Sequence, residues 1–340
     1  LQKAGVSISP ENLYISDRAM ICMPFHRWQD QMEEDRLGAA QYGSTRRGIS
    51  PVYGDKAMKK TLQMGDLFYP ESLHEHLYRL VDWKNALLGS AYHCEAISME
   101  QMQAWLDTYG SVLKPYITDV GQVLREALSC GKNVLMEAQL GALRDLDYGI
   151  YPYTSSSSPL AGYAPIGCGL PSIKLDKVVG VVKAYSSCVG AGPFVGELDG
   201  AEGDALREAG GEYGAATGRP RRVAYFDLVA TKHGIELQGA SDIALTKMDV
   251  LSHMPSIPVI RAYKVDGKEI TRFPATQLLD RAEPVYETLP GWQCEISHIR
   301  KFEDLPQAAQ DYVLYAERQL GVFIKYVSVG PEREQIIIRG

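Results

Sequence analysis

The feature that most constrains the fold is a series of short apolar runs that alternate with stretches of helical periodicity. KVVGVVKAYSS is almost continuously apolar, as the strands of a buried parallel sheet are. VAYFDLVATKHG and SDIALTKMDVL continue the alternation, and the helix LPQAAQDYVLYAERQLG precedes the closing strands VFIKYVSVG and EQIIIRG. Strands that alternate with helices predict an α/β protein with a mainly parallel central sheet.

Helical periodicity dominates the first half of the chain. ENLYISDRAMICMPF is predicted to be a buried strand region, and FHRWQDQMEEDRLG the helix after it. Residues 70–92 and 98–130 are also helical, with at least two helices in the second range. NVLMEA is predicted to be a strand, and PSIPVIRAYKVDGKEITRFP a hairpin that turns at Asp266 and Gly267.

Composition excludes some classes of protein. The 340 residues are 45% hydrophobic, enough to bury a large core. The net charge of -7 argues against general nucleic-acid binding. The six cysteines form no CxxC pair, which indicates a reduced, cytoplasmic protein. No apolar run reaches the roughly 18 residues of a membrane span, and no leader pattern is present, so we expect neither a membrane protein nor a signal peptide.

LTKMDVL indicates a loop that reads guanine. The Asp249 carboxylate can accept hydrogen bonds from both N1–H and the exocyclic amino group of the base, as charge-assisted pairs favour. The stem of Lys247 can lie across the base. Taken alone, a segment this short is more often an ordinary loop in which lysine and aspartate cap a helix.

Three other segments could bind anions. ATGRPRRVAYFD places Arg219, Arg221 and Arg222 on a loop stiffened by Pro220, which suits carboxylates and phosphates, although a solvated basic turn is equally consistent. YGSTRRGISPVYGDKAMKK has small residues that allow backbone N–H groups to approach an anion. SSCVGAGPF follows a strand, where ligands enter open α/β sheets, but taken alone a tight turn is the favoured explanation.

Taken together and in order, these segments resemble the adenylosuccinate synthetase family. The resemblance includes GSTRRGISPVYGDK, GIYPYTSSSS, VVKAYSSCVGAGPF, EYGAATGRPRRVAYFD, ALTKMDVL, PVYETLPGW, KFEDLP and SVGPER, from about Ile15 to Ile338. It implies one domain over residues 1–340, with a P-loop-NTPase-like α/β fold, a mainly parallel central sheet, helices on both faces and a small antiparallel hairpin region. The family joins L-aspartate to inosine monophosphate (IMP) with GTP and Mg²⁺; the purine O6 is phosphorylated first, and aspartate then displaces the phosphate.

The resemblance also implies roles for individual residues. Those expected to bind IMP are Gly43, Thr45, Lys59, Gln139, Ser155, Val189 and Arg219. Those expected to bind aspartate are Ala216, Thr217, Gly218, Arg219 and Arg221. Those expected to bind GTP are Arg221, Lys247, Met248, Asp249, Ser328, Val329 and Gly330. Lys56 is the candidate catalytic residue, and Lys59 is expected to reach the neighbouring subunit's site in a homodimer.

The chain departs from the family pattern at several positions. Lys59 stands where the family usually has arginine, which keeps the charge but loses the bidentate geometry. The usual EGAQG appears as EAQLG, with Gln139 followed by Leu140, the common GIGP is GISP, and Ala216 replaces a threonine. A relative that uses a different purine or amino donor is therefore one alternative.

Two family motifs, GDEGKGK with its catalytic aspartate and AGHT with its histidine, do not occur in these residues. The Mg²⁺ ligands are expected in that missing segment, so no metal ligand is predicted here, and the pair His74 and His76 has no third partner in view. Because the chain begins with Leu1, we expect a synthetase without its N-terminal segment. Phosphoryl transfer depends on positioning and charge stabilisation, so we expect these residues alone to be nearly inactive.

Two hypotheses from other classes stay open. The chain could be a non-catalytic protein that binds purine nucleotides, or one half of a split enzyme whose phosphate-binding loop lies on a partner chain. An upstream reading frame that encodes GDEGKGK and AGHT would favour the enzyme, and a stop codon there would favour a short protein that binds nucleotides without catalysis.

Overall fold

The computed structural model describes residues 2–137, 140–214 and 218–340. The chain folds as two compact units. The first comprises residues 1–138, 155–158 and 163–173, and the second comprises residues 139–154, 159–162 and 174–340. Each unit has a hydrophobic core of its own. Within the described ranges, no helix is both long enough and apolar enough to cross a membrane.

The first unit is mainly helical. Its helices are α1 (Pro24–Leu37), α2 (Ile49–Ala57), α3 (Pro70–Tyr92), α4 (Met99–Leu113), α5 (Val120–Ser129) and α6 (Ala164–Gly167). Strands β1 (Ile15–Ser16) and β2 (Ile117–Thr118) pair in parallel. The predicted helices are confirmed, and the second predicted range divides into α4 and α5. The first predicted strand region holds only the two residues of β1.

The helices of this unit end and pack as their sequences require. The side chains of Ser98 and Asp119 cap α4 and α5 by accepting hydrogen bonds from backbone N–H groups of the first turn. Helix α3 presents an apolar stripe to the core. Leu77, from the middle of that stripe, is fully buried in the same cluster as Phe25 of α1 and Leu106 of α4.

The strand predicted for NVLMEA is wrong for the part that is described. Residues 133–137 have no regular secondary structure, and Leu135 is 94% exposed. A strand needs a neighbour to satisfy its backbone hydrogen bonds. No strand in the described ranges pairs with this segment. Apolar residues without such a neighbour do not make a strand.

The second unit contains most of the β-structure. Its strands are β3 (Val179–Lys183), β4 (Ser186–Cys188), β5 (Arg222–Ala224), β6 (Phe226–Asp227), β7 (Asp242–Thr246), β8 (Ser256–Val265), β9 (Lys268–Ile270), β10 (Ala282–Pro290), β11 (Ile324–Ser328) and β12 (Ile336–Ile338). Its helices are α7 (Gly200–Gly210), α8 (Leu228–Gln238), α9 (Thr276–Leu279) and α10 (Gln307–Leu320).

The sheet that carries the candidate loops is mainly parallel, as predicted. Its order is β12-β11-β7-β3; β7 is parallel to both β3 and β11, and β12 is antiparallel to β11. A second sheet contains the predicted hairpin, β8 and β9, which turns at Asp266 and Gly267 with positive φ at both. The antiparallel part is larger than predicted, because the long strand β10 also pairs with β8.

The run KVVGVVKAYSS contains β3, but this strand is not buried as its composition predicts. In the described part of the sheet β3 has a neighbour on one side only, β7. Val181 is also 75% exposed, so the face of the sheet from which its side chain projects is largely uncovered at this position. The chain directly after β3 is fixed by a hydrogen bond, because the buried Tyr312 of α10 donates to the carbonyl oxygen of Ala184 (2.7 Å). A buried tyrosine needs such a partner for its hydroxyl.

A buried cluster of ionisable groups joins α1, α2 and α3. His26, Asp55 and Lys84 are almost completely buried. Oδ2 of Asp55 accepts hydrogen bonds from Nε2 of His26 (2.9 Å) and from Nζ of Lys84 (2.6 Å). Nδ1 of His26 accepts a hydrogen bond from the backbone N–H of Met23 (2.9 Å), which places the imidazole proton on Nε2. Burial lowers the pKa of His26 against the opposing effect of Asp55.

The first prediction concerns this histidine. Because the pKa of His26 is lower in the folded chain than in the unfolded chain, stability is present above the unfolded pKa of about 6.5 and is lost as pH falls through the folded pKa. When the pH is lowered from about 7 to about 5, we expect the free energy of unfolding to fall less in His26→Gln than in the wild type. Urea denaturation at the two pH values measures this.

The matched control is His74→Gln, which changes an exposed histidine of α3. It should follow the wild-type pH dependence. Burial also raises the pKa of Asp227 to about 6, so protonation of Asp227 stabilises the folded chain as pH falls, which is opposite to the effect of His26. The prediction therefore compares variants instead of using the pH dependence of the wild type alone. Equal pH dependence in His26→Gln and the wild type would contradict the prediction.

Candidate functional site

The ends of two parallel strands bring the two predicted guanine-binding segments together. Strands β7 and β11 are neighbours, and Leu245 is in register with Val327. Lys247–Asp249 therefore leaves β7 at the same edge of the sheet at which Ser328–Gly330 leaves β11. This edge, at the carboxyl ends of the strands, is where open α/β sheets bind ligands.

The Lys247–Asp249 segment is held in an unusual conformation. Lys247 has a left-handed backbone (φ 65°), and its Nζ donates a hydrogen bond to the carbonyl oxygen of Gly210 (2.6 Å). Asp249 is half-buried, and burial raises the pKa of its carboxyl group. In the described part of the chain no side chain donates a hydrogen bond to this carboxylate. It is therefore available to a ligand.

The side chains of two residues predicted at this site are not accessible to a ligand. Met248 and Val329 are completely buried in the hydrophobic core of the second unit, so only their backbone groups could reach a ligand. Ser328 donates a hydrogen bond from Oγ to the carbonyl oxygen of Gly330 (2.9 Å). A side chain at Gly330 would collide with Gln335, because a Cβ atom there would lie 2.3 Å from its Oε1.

The arginine loop is closed by backbone hydrogen bonds on both sides. The N–H of Arg221 donates to the carbonyl oxygen of Glu212 (2.9 Å), and the N–H of Gly214 donates to that of Arg219 (2.9 Å). Gly218 has positive φ (65°), which glycine adopts without strain. Arg219 is exposed. Ala216 and Thr217, predicted to bind aspartate, lie outside the described residues.

Sequence reasoning missed Glu212, which lies beneath this loop. It is completely buried, and its carboxylate accepts hydrogen bonds from Nζ of Lys183 (2.7 Å), Nη1 of Arg221 (2.8 Å) and the hydroxyl of Tyr185. Burial alone would raise the pKa of Glu212, but these three donors outweigh it and lower the pKa to about 2. Glu212 is therefore ionised at neutral pH.

Two arginines fix the loop after β4. Arg144 donates from Nη2 to the carbonyl oxygen of Val189 (2.7 Å), and Arg222 donates from Nη1 to that of Gly192 (2.8 Å). Nε of Arg222 also lies 2.8 and 2.9 Å from the two carboxylate oxygens of Glu197. Arg222 was predicted to be one of three anion-binding arginines. Its guanidinium instead binds groups of the protein itself. The side chain of Val189 itself is exposed.

In the first unit, two carboxylates of α1 hold the segment from Tyr42 to Gly48. The buried Glu34 accepts hydrogen bonds from the backbone N–H groups of Tyr42 (3.1 Å), Gly43 (2.9 Å) and Ser44 (3.1 Å). Asp30 accepts from Oγ of Ser44 (2.7 Å) and the N–H of Gly48 (2.8 Å). The protein's own carboxylates therefore already accept hydrogen bonds from these four N–H groups.

The same segment leads into α2 and exposes the other predicted residues. Thr45 is exposed just before α2, and Lys56 and Lys59 are exposed at the end of the helix. Oγ of Ser156 donates a hydrogen bond to Oγ of Ser50 at the start of α2 (2.8 Å). This contact brings the segment that contains Ser155 to the same helix.

The described residues offer no evident metal centre. Across residues 2–137, 140–214 and 218–340, no group of three or more His, Cys, Asp or Glu side chains could hold a metal ion. The Mg²⁺ ligands that the resemblance implies are not identified among them. Gln139, predicted to bind IMP, lies outside the described residues.

The second prediction concerns Glu34. Removing its carboxylate by Glu34→Ala leaves three backbone N–H groups without their acceptor, at about 1–3 kcal/mol for each group that stays unsatisfied. We expect faster amide hydrogen exchange at residues 42–44. Glu75→Ala, which removes an exposed i,i+4 pair with Arg79, is the matched control and should change stability by less than about 1 kcal/mol. Unchanged exchange in Glu34→Ala would contradict this account of the loop.

Comparison with known proteins matches the whole arrangement to one family. The family model of adenylosuccinate synthetase matches residues 1–337. Adenylosuccinate synthetase 2 of Pseudoalteromonas translucida (strain TAC 125) is 47% identical over 341 residues, or 100% of this chain and 80% of the relative. Adenylosuccinate synthetase of Brevibacillus brevis (strain 47 / JCM 6285 / NBRC 100599) is 42% identical over 337 residues, or 98% of this chain and 78% of the relative.

A solved structure agrees with the fold. The fully ligated adenylosuccinate synthetase from Plasmodium falciparum has a TM-score of 0.93 to this chain at 32% identity, covering 99% of this chain and 80% of that one. The likeness confirms the α/β fold with its parallel central sheet. Since sequence and structure agree over nearly all of its length, the chain belongs to the adenylosuccinate synthetase family.

Proposed function

We propose that this chain serves the GTP-dependent ligation of L-aspartate to IMP, which gives adenylosuccinate for AMP synthesis. Family membership supports a ligase of purine biosynthesis. The observation that carries the finer proposal is the convergence of Lys247–Asp249 with Ser328–Gly330 at the carboxyl ends of β7 and β11. Within the described residues, no side chain donates a hydrogen bond to the carboxylate of Asp249, which lies at this edge.

GTP is proposed to bind with its base at this edge. Asp249 accepts the two N–H groups of guanine, the stem of Lys247 covers one face of the base, and the backbone groups of Ser328 and Gly330 contact its rim. Met248 and Val329 contribute through backbone groups, since their side chains form part of the core. Arg221 extends this interaction to the phosphates.

The arginine loop is proposed to hold aspartate. Arg219 and Arg221 have the fork geometry that carboxylates require, and Gly218 lets the backbone approach the ligand closely. Ala216 and Thr217 complete the loop in this proposal. Other residues are proposed to bind IMP, as the family resemblance implies: Gly43, Thr45, Lys59, Gln139, Ser155, Val189 and Arg219.

The proposed reaction has two steps. The γ-phosphoryl group of GTP passes to O6 of IMP and leaves GDP; the aspartate amine then forms the bond to C6 as phosphate leaves. Positively charged groups fixed near the transferring phosphate stabilise the charge that develops there. Lys56 is the proposed catalytic cation. Mg²⁺, when bound, would neutralise charge on the phosphates, and none of its ligands is assigned to the described residues.

Further aspects belong to the same proposal. The chain acts as a single synthetase domain in the cytoplasm, and as a homodimer in which Lys59 reaches the neighbouring subunit's site. The 340 residues contain neither GDEGKGK nor AGHT. Low activity of these residues alone therefore stays a prediction, as does the alternative of binding without catalysis.

One experiment tests the proposed nucleotide binding and the predicted low activity together. The chain is titrated calorimetrically with GDP and with IMP, and is then incubated with GTP, IMP and L-aspartate while GDP and adenylosuccinate are followed by chromatography. We expect binding of both nucleotides with little or no turnover. Turnover that requires all three substrates would support the ligase directly and refute the predicted inactivity. Failure to bind either nucleotide would overturn the proposed function.

The third prediction tests the guanine contact. In Asp249→Asn, the amide NH₂ faces the amino group of guanine, so we expect GDP affinity to fall about 10–150-fold, which corresponds to about 1.5–3 kcal/mol for a charged hydrogen bond. Xanthosine diphosphate, which has an oxygen in place of that amino group, should lose much less affinity. Calorimetric titration with both nucleotides gives the ratio.

The matched control is Glu295→Gln. Glu295 is an exposed carboxylate close enough to raise the pKa of Asp249, so the variant removes a charge of the same sign nearby. It should leave the preference for GDP over xanthosine diphosphate unchanged. The same preference in Asp249→Asn would remove Asp249 from the base pocket.

A further inference from the structure

The contacts of Glu212 divide between its two carboxylate oxygens. Oε1 accepts hydrogen bonds from Lys183 and Tyr185, whereas Oε2 accepts the one from Nη1 of Arg221. Glu212 is completely buried, but the side chains of Lys183 and Arg221 remain 28% and 30% exposed. The carboxylate therefore lies underneath two cations that still reach the surface.

This arrangement leaves most of the Arg221 guanidinium available. An arginine has five N–H donors in a planar fork, and only Nη1 is hydrogen-bonded in the described part of the chain. One anion, Glu212, is in contact with two cations, so the cluster retains an excess of one positive charge. That charge is displayed on the exposed side, which suits a carboxylate or phosphate ligand.

The turn that contains Glu212 also touches the guanine segment. Gly210, two residues earlier, accepts the hydrogen bond from Nζ of Lys247. A Cβ atom at Gly210 would lie 2.3 Å from the hydroxyl of Tyr185, so the turn is closely packed against the residue that also donates to Glu212. One tight turn thus supports both ligand-binding loops from below.

We propose that Glu212 is a positioning residue, which fixes the guanidinium of Arg221 in the orientation that receives an anionic ligand. Glu212 is buried and does not itself touch the ligand. The inference rests on the proposed function, which assigns Arg221 to aspartate and to the GTP phosphates. It adds a residue to which neither the family resemblance nor the sequence pattern gave a role.

Glu212→Gln tests the proposal selectively. The amide oxygen of glutamine can keep the hydrogen bonds from Lys183 and Tyr185, while its NH₂ replaces the oxygen that faces Arg221. Two donors then face each other, and Arg221 is released. We expect the Kd for L-aspartate to rise about tenfold or more, and the Kd for guanosine, which has no phosphate, to change less than about twofold.

A measurement without ligand addresses positioning directly. The ¹⁵N relaxation of the Nε–H group of Arg221 should report a rigid side chain in the wild type and a mobile one in Glu212→Gln. Equal rigidity in the two proteins would overturn the proposal. A wild-type chain that binds no aspartate would instead overturn the proposed function, and the relaxation data would still decide the role of Glu212.

A double-mutant cycle separates positioning from a general structural effect. If Glu212 acts through Arg221, then Glu212→Gln should weaken aspartate binding no further in a chain that already carries Arg221→Gln. Independent, additive losses would overturn the proposal. Glu212→Asp, which withdraws the charge by one methylene group, is the second variant if Glu212→Gln does not fold, with a smaller loss of affinity expected.

Glu317→Gln is the matched control for the loss of a glutamate–arginine pair in the same unit. Oε2 of Glu317 accepts hydrogen bonds from Nη1 of Arg339 (2.6 Å) and from the backbone N–H of Ile324 (2.9 Å). The substitution Glu317→Gln lowers stability but changes no contact of the arginine loop, so aspartate affinity should be unchanged. An equal loss of affinity in Glu317→Gln and Glu212→Gln would show a structural effect and overturn the proposal.

Discussion

In each unit, buried carboxylates accept hydrogen bonds from other parts of the chain and so fix the local structure. A carboxylate that leaves water is stable only where hydrogen-bond donors surround it. Glu34 meets this requirement with backbone N–H groups, Asp55 with His26 and Lys84, and Glu212 with Lys183, Tyr185 and Arg221. The donors to Glu34 and Glu212 include segments that are proposed to bind ligand, and Asp55 itself precedes Lys56 in α2. The same requirement that makes these groups costly to bury also fixes the loops.

Part of the site could be predicted because it depends on local sequence. The loop after β7 was recognisable from LTKMDVL, and strand register then brings it to the end of β11, since neighbouring parallel strands end at one edge. The helices of the first unit followed from apolar periodicity, as in α3. These features need only residues that are close together in the chain.

The features that could not be predicted depend on distant partners. Glu212 looks like a solvated glutamate until β3 places Lys183 beside it, and Arg222 looks free until Glu197 is known to pair with it. The apolar run of β3 suggested burial, but burial depends on what packs on each face of the sheet, as the exposed Val181 demonstrates. Similarly, LTKMDVL does not reveal that Met248 points into the core while Asp249 is available.

The left-handed backbone at Lys247 would be more stable with a different residue, whereas the proposed ligand binding needs the lysine side chain. A residue with a Cβ atom in this conformation costs roughly 1–2 kcal/mol, which glycine would avoid. Glycine, however, has neither the ammonium group that reaches Gly210 nor a stem that could cover a base. Glycine would therefore fit this backbone conformation best, but it could not make the contacts proposed for the lysine side chain.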